Sequence, residues 1–424
     1  MKNINTKKVG VFYYLLLLIV LTTWTDTENL PPISLRLIFM VAVLMPLWIN
    51  KSHLLPEVFF TFVVISASSF AVSYMPVDGL YVFITMLVSV VVLGNSKVEK
   101  LEVPLSFKML CLLSLFIDLF FSSSLVVTFS WLSIIVVGES LFDCQDYKRV
   151  QFMAFSFAII SLVLSLEFIF VGGNFITSVN TLDGDLARKG WTDPNYFGSI
   201  IGMGILTSLI ELITNEKLSR KSRLLYCSTI ILSLFTLFTT ASRGAVVALG
   251  CSSLILLWVA PIKKTYRLGI IFICLIVLFL MYELHMLDLL ILRFQSDAGD
   301  AGGRTEIWIP RINAFFNDCT PLQWIFGLGT DEAMKLGTNQ FIGFHNDYLS
   351  ILVKYGFIGF FCLIGLLLNP FISCRKNKGI VFSGLVYIAL CMFSIEPFTG
   401  GQWGCLYFYL YILILSQVRY EKQI

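Results

Sequence analysis

Long apolar runs separated by short polar segments occupy almost the whole chain. A helix that crosses a lipid bilayer needs about 17–25 largely apolar residues, and fourteen runs approach that length. They lie at about 10–24, 33–49, 56–74, 79–94, 107–121, 124–139, 150–171, 195–214, 224–241, 244–260, 268–287, 346–368, 379–395 and 404–418. The pair between 107 and 139 is the weakest. The pattern therefore predicts an all-α integral membrane protein with about 12–14 transmembrane helices in one polytopic domain over residues 1–424.

The composition supports a membrane protein and excludes several other classes. Hydrophobic residues make up 57% of the chain and charged residues only 13%, whereas a soluble protein carries about 25% charged residues. So few charges cannot cover a water-exposed surface, which excludes a soluble domain, a disordered chain and a nucleic-acid binder. The ten cysteines contain no CxxC pair, and their apolar surroundings are typical of small core side chains rather than of disulfides.

Basic residues are distributed unevenly between the loops, and this asymmetry predicts the side of the membrane that each loop faces. Lysine and arginine in short loops favour the cytoplasmic side. Lys7, the segment 217–223 and Lys263 belong to one consistently basic side, which also holds both termini. The opposite, outer side has two substantial loops, at about 172–194 and 288–344. Function is expected there, because long ordered loops in compact proteins usually carry it.

The most specific pattern in the sequence follows the larger outer loop. His345, Asn346, Gly356 and Gly359 form the pattern H-N-x9-G-x-x-G. Chance matches around three histidines are rare, because glycine makes up only about 7% of an average chain. Asn346 is also a natural N-cap, so a helix is predicted to begin at this point. The pattern favours a chemical role for His345 over that of a surface histidine at the membrane.

A second group of residues lies earlier in the same loop, in the segment Gly302–Trp308. Arg304, Trp308 and Arg311 have i, i+4, i+7 spacing and would share one face of a helix, although Pro310 either interrupts or restarts that helix. A glycine-rich turn, Phe326-Gly327-Leu328-Gly329, follows.

Two further arginines lie next to predicted helix starts on the outer side. Arg243 occupies the tight turn Thr240–Gly244 between two spans, where a charge has little room. Its guanidinium must find an anion or a lipid headgroup. Arg188 precedes Asp193-Pro194-Asn195, where Asp193 can cap a helix and Pro194 can take its first position.

These elements predict an anion site at the membrane surface. Spans that begin near residues 195, 244 and 346 all present their N-termini to the outer side. Helix N-termini and arginine side chains both favour anions. A pocket of arginines beside His345 would suit a pyrophosphate, and His345 could then remove a proton from an attacking hydroxyl.

The Ser242-Arg243-Gly244 turn, the segment from Gly303 to Trp308, the Gly327-x-Gly329 turn and the ending His345-Asn346…Gly356…Gly359 resemble the O-antigen polymerase and O-antigen ligase superfamily. The Asp193-Pro194-Asn195 helix start is also similar. The motif-bearing region covers about 185–370, and the first 170 residues match only in being a run of spans.

The resemblance implies a bacterial inner-membrane glycosyltransferase of the GT-C type that acts on undecaprenyl-pyrophosphate-linked sugars. It places the loop 288–344 in the periplasm. By position, it implies His345 as the catalytic base. The predicted catalytic residues are then His345, Arg243 and Arg304, and the predicted substrate-binding residues are Arg188, Arg311, Asn346 and Trp308. The expected partners are lipid-linked glycan donor and acceptor, membrane lipid and a chain-length regulator protein, without nucleic acid.

No metal or other cofactor is predicted. The three histidines are too far apart in the sequence for a paired helical zinc site, and the outer-loop acids show no DxD-like ligand spacing. The arginines would supply the positive charge instead.

The shared motifs leave the reaction open between two outcomes. Polymerisation of lipid-linked repeats is the preferred one, and ligation of the finished glycan to lipid A-core is the close alternative. A flippase or other transporter is the alternative from another class, because Asp118, Glu167, Glu211 and Lys354 lie in or near spans. No internal repeat pairs these four residues, however.

Overall fold

Most of the chain from residue 103 onward forms helices. The computed structural model describes residues 103–121, 128, 131–132, 135, 147–172, 176–179, 186–189, 194–260, 262, 264–285, 287–296, 304–337, 343–374, 377–399 and 403–421. The elements in these ranges are α1 (Leu105–Phe121), α2 (Tyr147–Glu167, continued by a π-helical turn Phe168–Gly172), β1 (Ile176–Val179), β2 (Leu186–Lys189), α3 (Pro194–Thr214), α4 (Arg220–Thr239), α5 (Arg243–Val259), α6 (Lys264–Glu283), α7 (Asp288–Ser296), α8 (Thr305–Asn317), α9 (Pro321–Phe326), α10 (Thr330–Lys335), α11 (Asp347–Ser373), α12 (Lys378–Ser394) and α13 (Trp403–Glu421).

The predicted spans from 107 onward coincide with helices wherever the structure describes them. Within the described ranges, α3, α4 and α11 are long and apolar enough to cross a membrane. The pair formed by α6 and α7, bent by 88°, adds a fourth candidate if it is counted as one span. The four predicted runs before residue 95, and most of the run at 124–139, lie outside the described residues. The total of 12–14 spans and the cytoplasmic termini stay predictions.

The β-structure within the described ranges is a short antiparallel hairpin. Strands β1 and β2 pair with Thr177 opposite Arg188. The hairpin lies in the outer loop predicted at 172–194, directly before the start of α3. The sequence predicts a loop here and no strands.

Small and hydroxylated side chains let the inner helices approach each other closely. The hydroxyl oxygen of Ser233 lies 2.8 Å from that of Ser161 and 3.0 Å from that of Ser165. A Cβ on Gly204 would overlap the side chain of Ser161. Such contacts bind α2, α3 and α4 together where lipid supplies no hydrophobic driving force between helices.

The long helix α11 is broken inside, at Gly356. The φ of this residue is 65°, a left-handed conformation that glycine adopts readily because it has no Cβ. A Cβ at this position would also overlap the backbone carbonyl of Ile325. The glycine of the predicted motif therefore permits a close approach between the helix and the outer loop.

The glycine-rich turn after α9 is the part of the loop that docks at this break. Gly327 and Gly329 have φ values of 88° and 78°. The N–H of Leu328 donates to the carbonyl of Val353 at 3.0 Å, and the N–H of Gly329 donates to the carbonyl of Lys354 at 2.9 Å. Two glycine motifs that are separate in the sequence thus meet backbone to backbone.

Candidate functional site at the outer helix ends

The start of α11 holds His345 in an unusual backbone conformation. His345 has a φ of 52°, which is uncommon for a residue with a Cβ and tends to occur at functional sites. Asn346 then turns to extended backbone and caps the helix, because its side-chain oxygen accepts the N–H of Leu349 at 3.1 Å. The predicted N-cap is confirmed, and His345 is half-buried at its edge.

The segment after α12 wraps around this helix start. Glu396 accepts the backbone N–H of His345 at 3.0 Å. Asp347, fully buried, accepts the N–H of Phe398 at 2.7 Å and both the N–H and the hydroxyl of Thr399, at 3.0 and 2.8 Å. Two carboxylates therefore fix the backbone on either side of Asn346.

Helix α8, in the outer loop, donates hydrogen bonds to the two residues that precede His345. The indole N–H of Trp308 donates to the carbonyl of Phe344 at 2.7 Å. The fully buried guanidinium of Arg311 donates to the carbonyls of Gly343 at 3.2 Å and Met334 at 2.9 Å. Pro310 lies inside the helix without ending it. Trp308 and Arg311 thus lie on the common face that the sequence predicts, and the place of Arg304 on that face stays a prediction.

Neighbouring groups and burial also affect the electrostatics of the Arg311 guanidinium. Its guanidinium carbon lies 4.2 Å above the centre of the Phe344 ring, a cation–π contact. Burial lowers the pKa of Arg311, while the negative charge of Glu396 acts in the opposite direction. Arg311 and Glu396 are therefore electrostatic partners across the segment that carries His345.

The turn with Arg243 lies at the start of α5 and is held by a second arginine. One guanidinium nitrogen of Arg243 donates to the carbonyl of Arg293 at 2.9 Å. Arg293 in turn donates to the carbonyl of Ala241 at 2.7 Å, and Ala241 has a φ of 49°. Two cations therefore lie together at this turn.

Contacts between helix ends connect the Arg243 turn with His345. A Cβ on Gly244 would overlap the hydroxyl of Ser394, two residues before Glu396. The N–H of Glu396 donates to the phenol oxygen of Tyr196 at 3.0 Å, and the hydroxyl of Ser242 donates to Asn195 at 3.4 Å. The starts of α3, α5 and α11 thus converge around the end of α12, as the sequence predicted for the three starts.

For the two remaining predicted arginines, the structure gives the position in the fold. Arg304 is half-buried at the N-cap position of α8, one turn before Trp308. Arg188 lies in β2, six residues before Pro194, and its side chain is outside the described part of the chain. The catalytic and substrate-binding roles of the predicted residues all stay predictions.

Sequence analysis missed three residues that build this site: Glu396, Tyr196 and Arg293. Glu396 had a visible signal, because an acid followed by proline lies in a short outer loop between two predicted spans. Tyr196 and Arg293 had none, since their roles depend on which helix ends meet.

Asp118 joins the outer loop to the helices below the site. One carboxylate oxygen accepts the N–H and the hydroxyl of Thr330, at 3.1 and 3.0 Å. The other accepts the hydroxyl of Tyr355 at 2.9 Å, and Lys354 adds a favourable charge interaction. Two residues that motivated the transporter alternative therefore act together as a tether of the loop.

No group of three His, Cys, Asp or Glu side chains in the described ranges is arranged to hold a metal ion. Independence from metal stays a prediction.

Comparison with known protein families agrees with the motifs. Residues 228–364 match the family described as O-antigen ligase. The matched segment contains the Arg243 turn, α8, the glycine-rich turn and the first part of α11 with His345. No curated protein sequence matches the chain. Within these residues the chain is similar to the O-antigen ligase family, and this match supports its resemblance to the O-antigen ligase and polymerase superfamily.

Proposed function

We propose that the protein polymerises undecaprenyl-pyrophosphate-linked oligosaccharide repeats into O-antigen or exopolysaccharide on the periplasmic face of the inner membrane. The family match supports a membrane enzyme that transfers glycosyl groups. The choice of reaction, lipid carrier and membrane face is our proposal.

The observation that carries this proposal is the position of His345. It lies half-buried at the start of α11, in a left-handed conformation fixed by the Glu396 contact to its backbone. Trp308 and Arg311 support the preceding residues from the other side. A histidine with a fixed backbone among converging helix ends suits a general base.

The proposed step is displacement of a lipid pyrophosphate by a sugar hydroxyl. His345 takes the proton of the acceptor hydroxyl on the terminal sugar of a lipid-linked repeat. The hydroxyl oxygen forms a bond to the anomeric carbon of the growing chain. The bond from that carbon to the pyrophosphate oxygen breaks, and undecaprenyl pyrophosphate leaves with the electron pair.

The negative charge that develops on the leaving group needs stabilisation by fixed positive groups. Arg243 lies at the first residue of α5, and Arg304 lies at the start of α8. Helix N-termini favour anions as well. In this proposal Arg243 and Arg304 bind the pyrophosphate, with Arg188 from the hairpin, and Arg311 holds the segment that carries His345. Asn346 and Trp308 line the sugar side.

The ligase alternative uses the same chemistry with a different acceptor, and the matched family carries that description. Transport is weaker, because the carboxylate of Asp118 is engaged by Thr330 and Tyr355 instead of facing a pathway.

An acceptor assay separates the two transfer reactions. Purified protein is incubated with lipid-linked repeat units, with or without lipid A-core, and the products are resolved by size. A ladder of longer glycans without lipid A-core supports polymerisation. Transfer that occurs only when lipid A-core is present would assign the protein as a ligase, and no transfer in either mixture would contradict both.

A further inference from the structure

Helix α8 has an exposed apolar face in addition to its buried face and its polar face. Ile309, Ile312 and Phe316 follow i, i+3, i+7 spacing and form one stripe. Their side chains are 57%, 39% and 45% exposed. Large apolar side chains that line up on a surface in this way mark an interaction site more often than scattered ones do.

The stripe lies between two faces of different character. Trp308, Arg311 and Phe315 point to the protein interior. The flank beyond the stripe is polar, with Glu306 and Asn313 exposed. A helix with an inner face, an apolar edge and a polar outer face is typical of a segment that lies along a membrane surface.

The stripe continues into an exposed apolar side of α11. The ring of Phe316 lies 6.4 Å from the rings of both Trp324 and Phe357. Phe361, one turn further along α11, is 67% exposed. The neighbouring helix α9 adds three exposed apolar side chains, Leu322, Ile325 and Phe326.

The length of α11 indicates how deep in the membrane the exposed apolar residues of α8 and α9 lie. The helix is broken at Gly356, so each part is compared separately, at about 1.5 Å per residue, with a hydrocarbon core of about 30 Å. The part after the Gly356 break, residues 357–373, extends only about 25 Å. The break, with α9 docked on it, therefore falls close to the outer boundary of the hydrocarbon core.

We infer that α8 and α9 form an interfacial surface that binds the acyl chains of the outer leaflet. Ile309, Ile312 and Phe316 enter the lipid, while Glu306 and Asn313 face water. The lipid thereby sets the height of α8, whose inner face holds the segment before His345. The occupant is bulk phospholipid, and this inference does not depend on the proposed reaction.

Quenching of a fluorescent residue on α8 tests this surface directly. A genetically encoded fluorescent amino acid replaces Phe316 in one variant and Asn313 in the matched control, three residues away on the polar flank. Each protein is reconstituted in phosphatidylcholine nanodiscs with spin-labelled lipid, and separately exposed to iodide. We expect several-fold stronger quenching by lipid than by iodide at 316, and the reverse at 313.

A third label at Ile312 keeps the test valid if replacement of Phe316 disturbs the aromatic contacts. Quenching of 312 and 316 by iodide to the same extent as 313 would show that the stripe faces water, and would overturn the inference. Protection of both stripe positions from both quenchers would also overturn it, because another segment of the chain or a second copy would then cover the stripe.

Discussion

Arg243 and Arg311 belong to two segments that both support the outer helix ends, yet they are held in different ways. Arg243 is half-buried at the first residue of α5, where the helix N-terminus adds positive potential. Arg311 is fully buried in the middle of α8 and donates to two loop carbonyls. Both were predicted to contact the substrate, because spacing and side of the membrane do not distinguish them.

An arginine near an anion site can therefore bind either the ligand or the backbone of the loop. A guanidinium at a helix start is positioned for charge that arrives with a substrate. A guanidinium that is enclosed among carbonyls satisfies backbone groups of the loop, here at Gly343 and at the end of α10. The two segments meet at His345, so substitutions there and in each segment should separate activity from stability.

The largest effect on glycan extension is expected from substitution of His345, where the two segments meet. His345→Ala should reduce glycan extension by about 10²–10⁴-fold, the usual contribution of a general base. The protein should still insert and fold, because the described contact of this residue with Glu396 uses the backbone. Extension is measured with purified protein and lipid-linked repeats.

His285→Ala is the matched control, since His285 is exposed at the bend between α6 and α7 and also has a positive φ, 57°. It should leave extension unchanged. Normal chain extension by the His345→Ala protein would disprove the assignment of His345 as the base.

Substitution of Arg243 should lower activity and leave stability almost unchanged. Arg243→Lys keeps the charge but loses the planar fork that grips two phosphate oxygens. We expect extension to fall by roughly tenfold to a hundredfold, somewhat less than for the loss of a full donor at a developing anion. The apparent melting temperature should change little. If lysine supports normal extension, Arg243 acts only as a charge or headgroup anchor.

Substitution of Arg311 in α8 should lower the stability of the protein. Arg311→Met keeps much of the volume but leaves the carbonyls of Gly343 and Met334 without these donors, at a cost of about 1–3 kcal/mol. The apparent melting temperature in detergent should drop by several degrees. Arg220→Met, at an exposed position, is the control and should be neutral. An unchanged melting temperature with lost activity would make Arg311 a substrate contact.

The docking of the loop on α11 should show a similar or slightly smaller effect. Gly356→Ala forces a Cβ into the left-handed region and against the Ile325 carbonyl, at a cost of about 1–3 kcal/mol. Gly250→Ala is the control, because a Cβ at Gly250 meets nothing within 4 Å. Equal melting temperatures for the two variants would mean that the break does not require glycine.

Local chemistry explains which parts of this arrangement could be predicted from the sequence. Apolar run length and capping residues predicted the helix starts at Pro194, Arg243 and Asn346, since these signals lie within a few residues of the start. The glycine motifs were visible, but their pairing was not. The contact of Glu396 with His345 also escaped prediction, because nothing local relates two segments that are 51 residues apart.

Chelation should have the smallest effect, which is none. Arg243 and Arg304 supply positive charge for the leaving group in this mechanism. Two of the outer acids are already engaged: Asp347 accepts hydrogen bonds from Phe398 and Thr399, and Glu332 pairs with Lys335 at 3.2 Å. We therefore expect extension of lipid-linked repeats to be equal with and without EDTA. Loss of extension on chelation that magnesium or manganese restores would show that acids bind a metal, and that arginines alone do not neutralise the pyrophosphate.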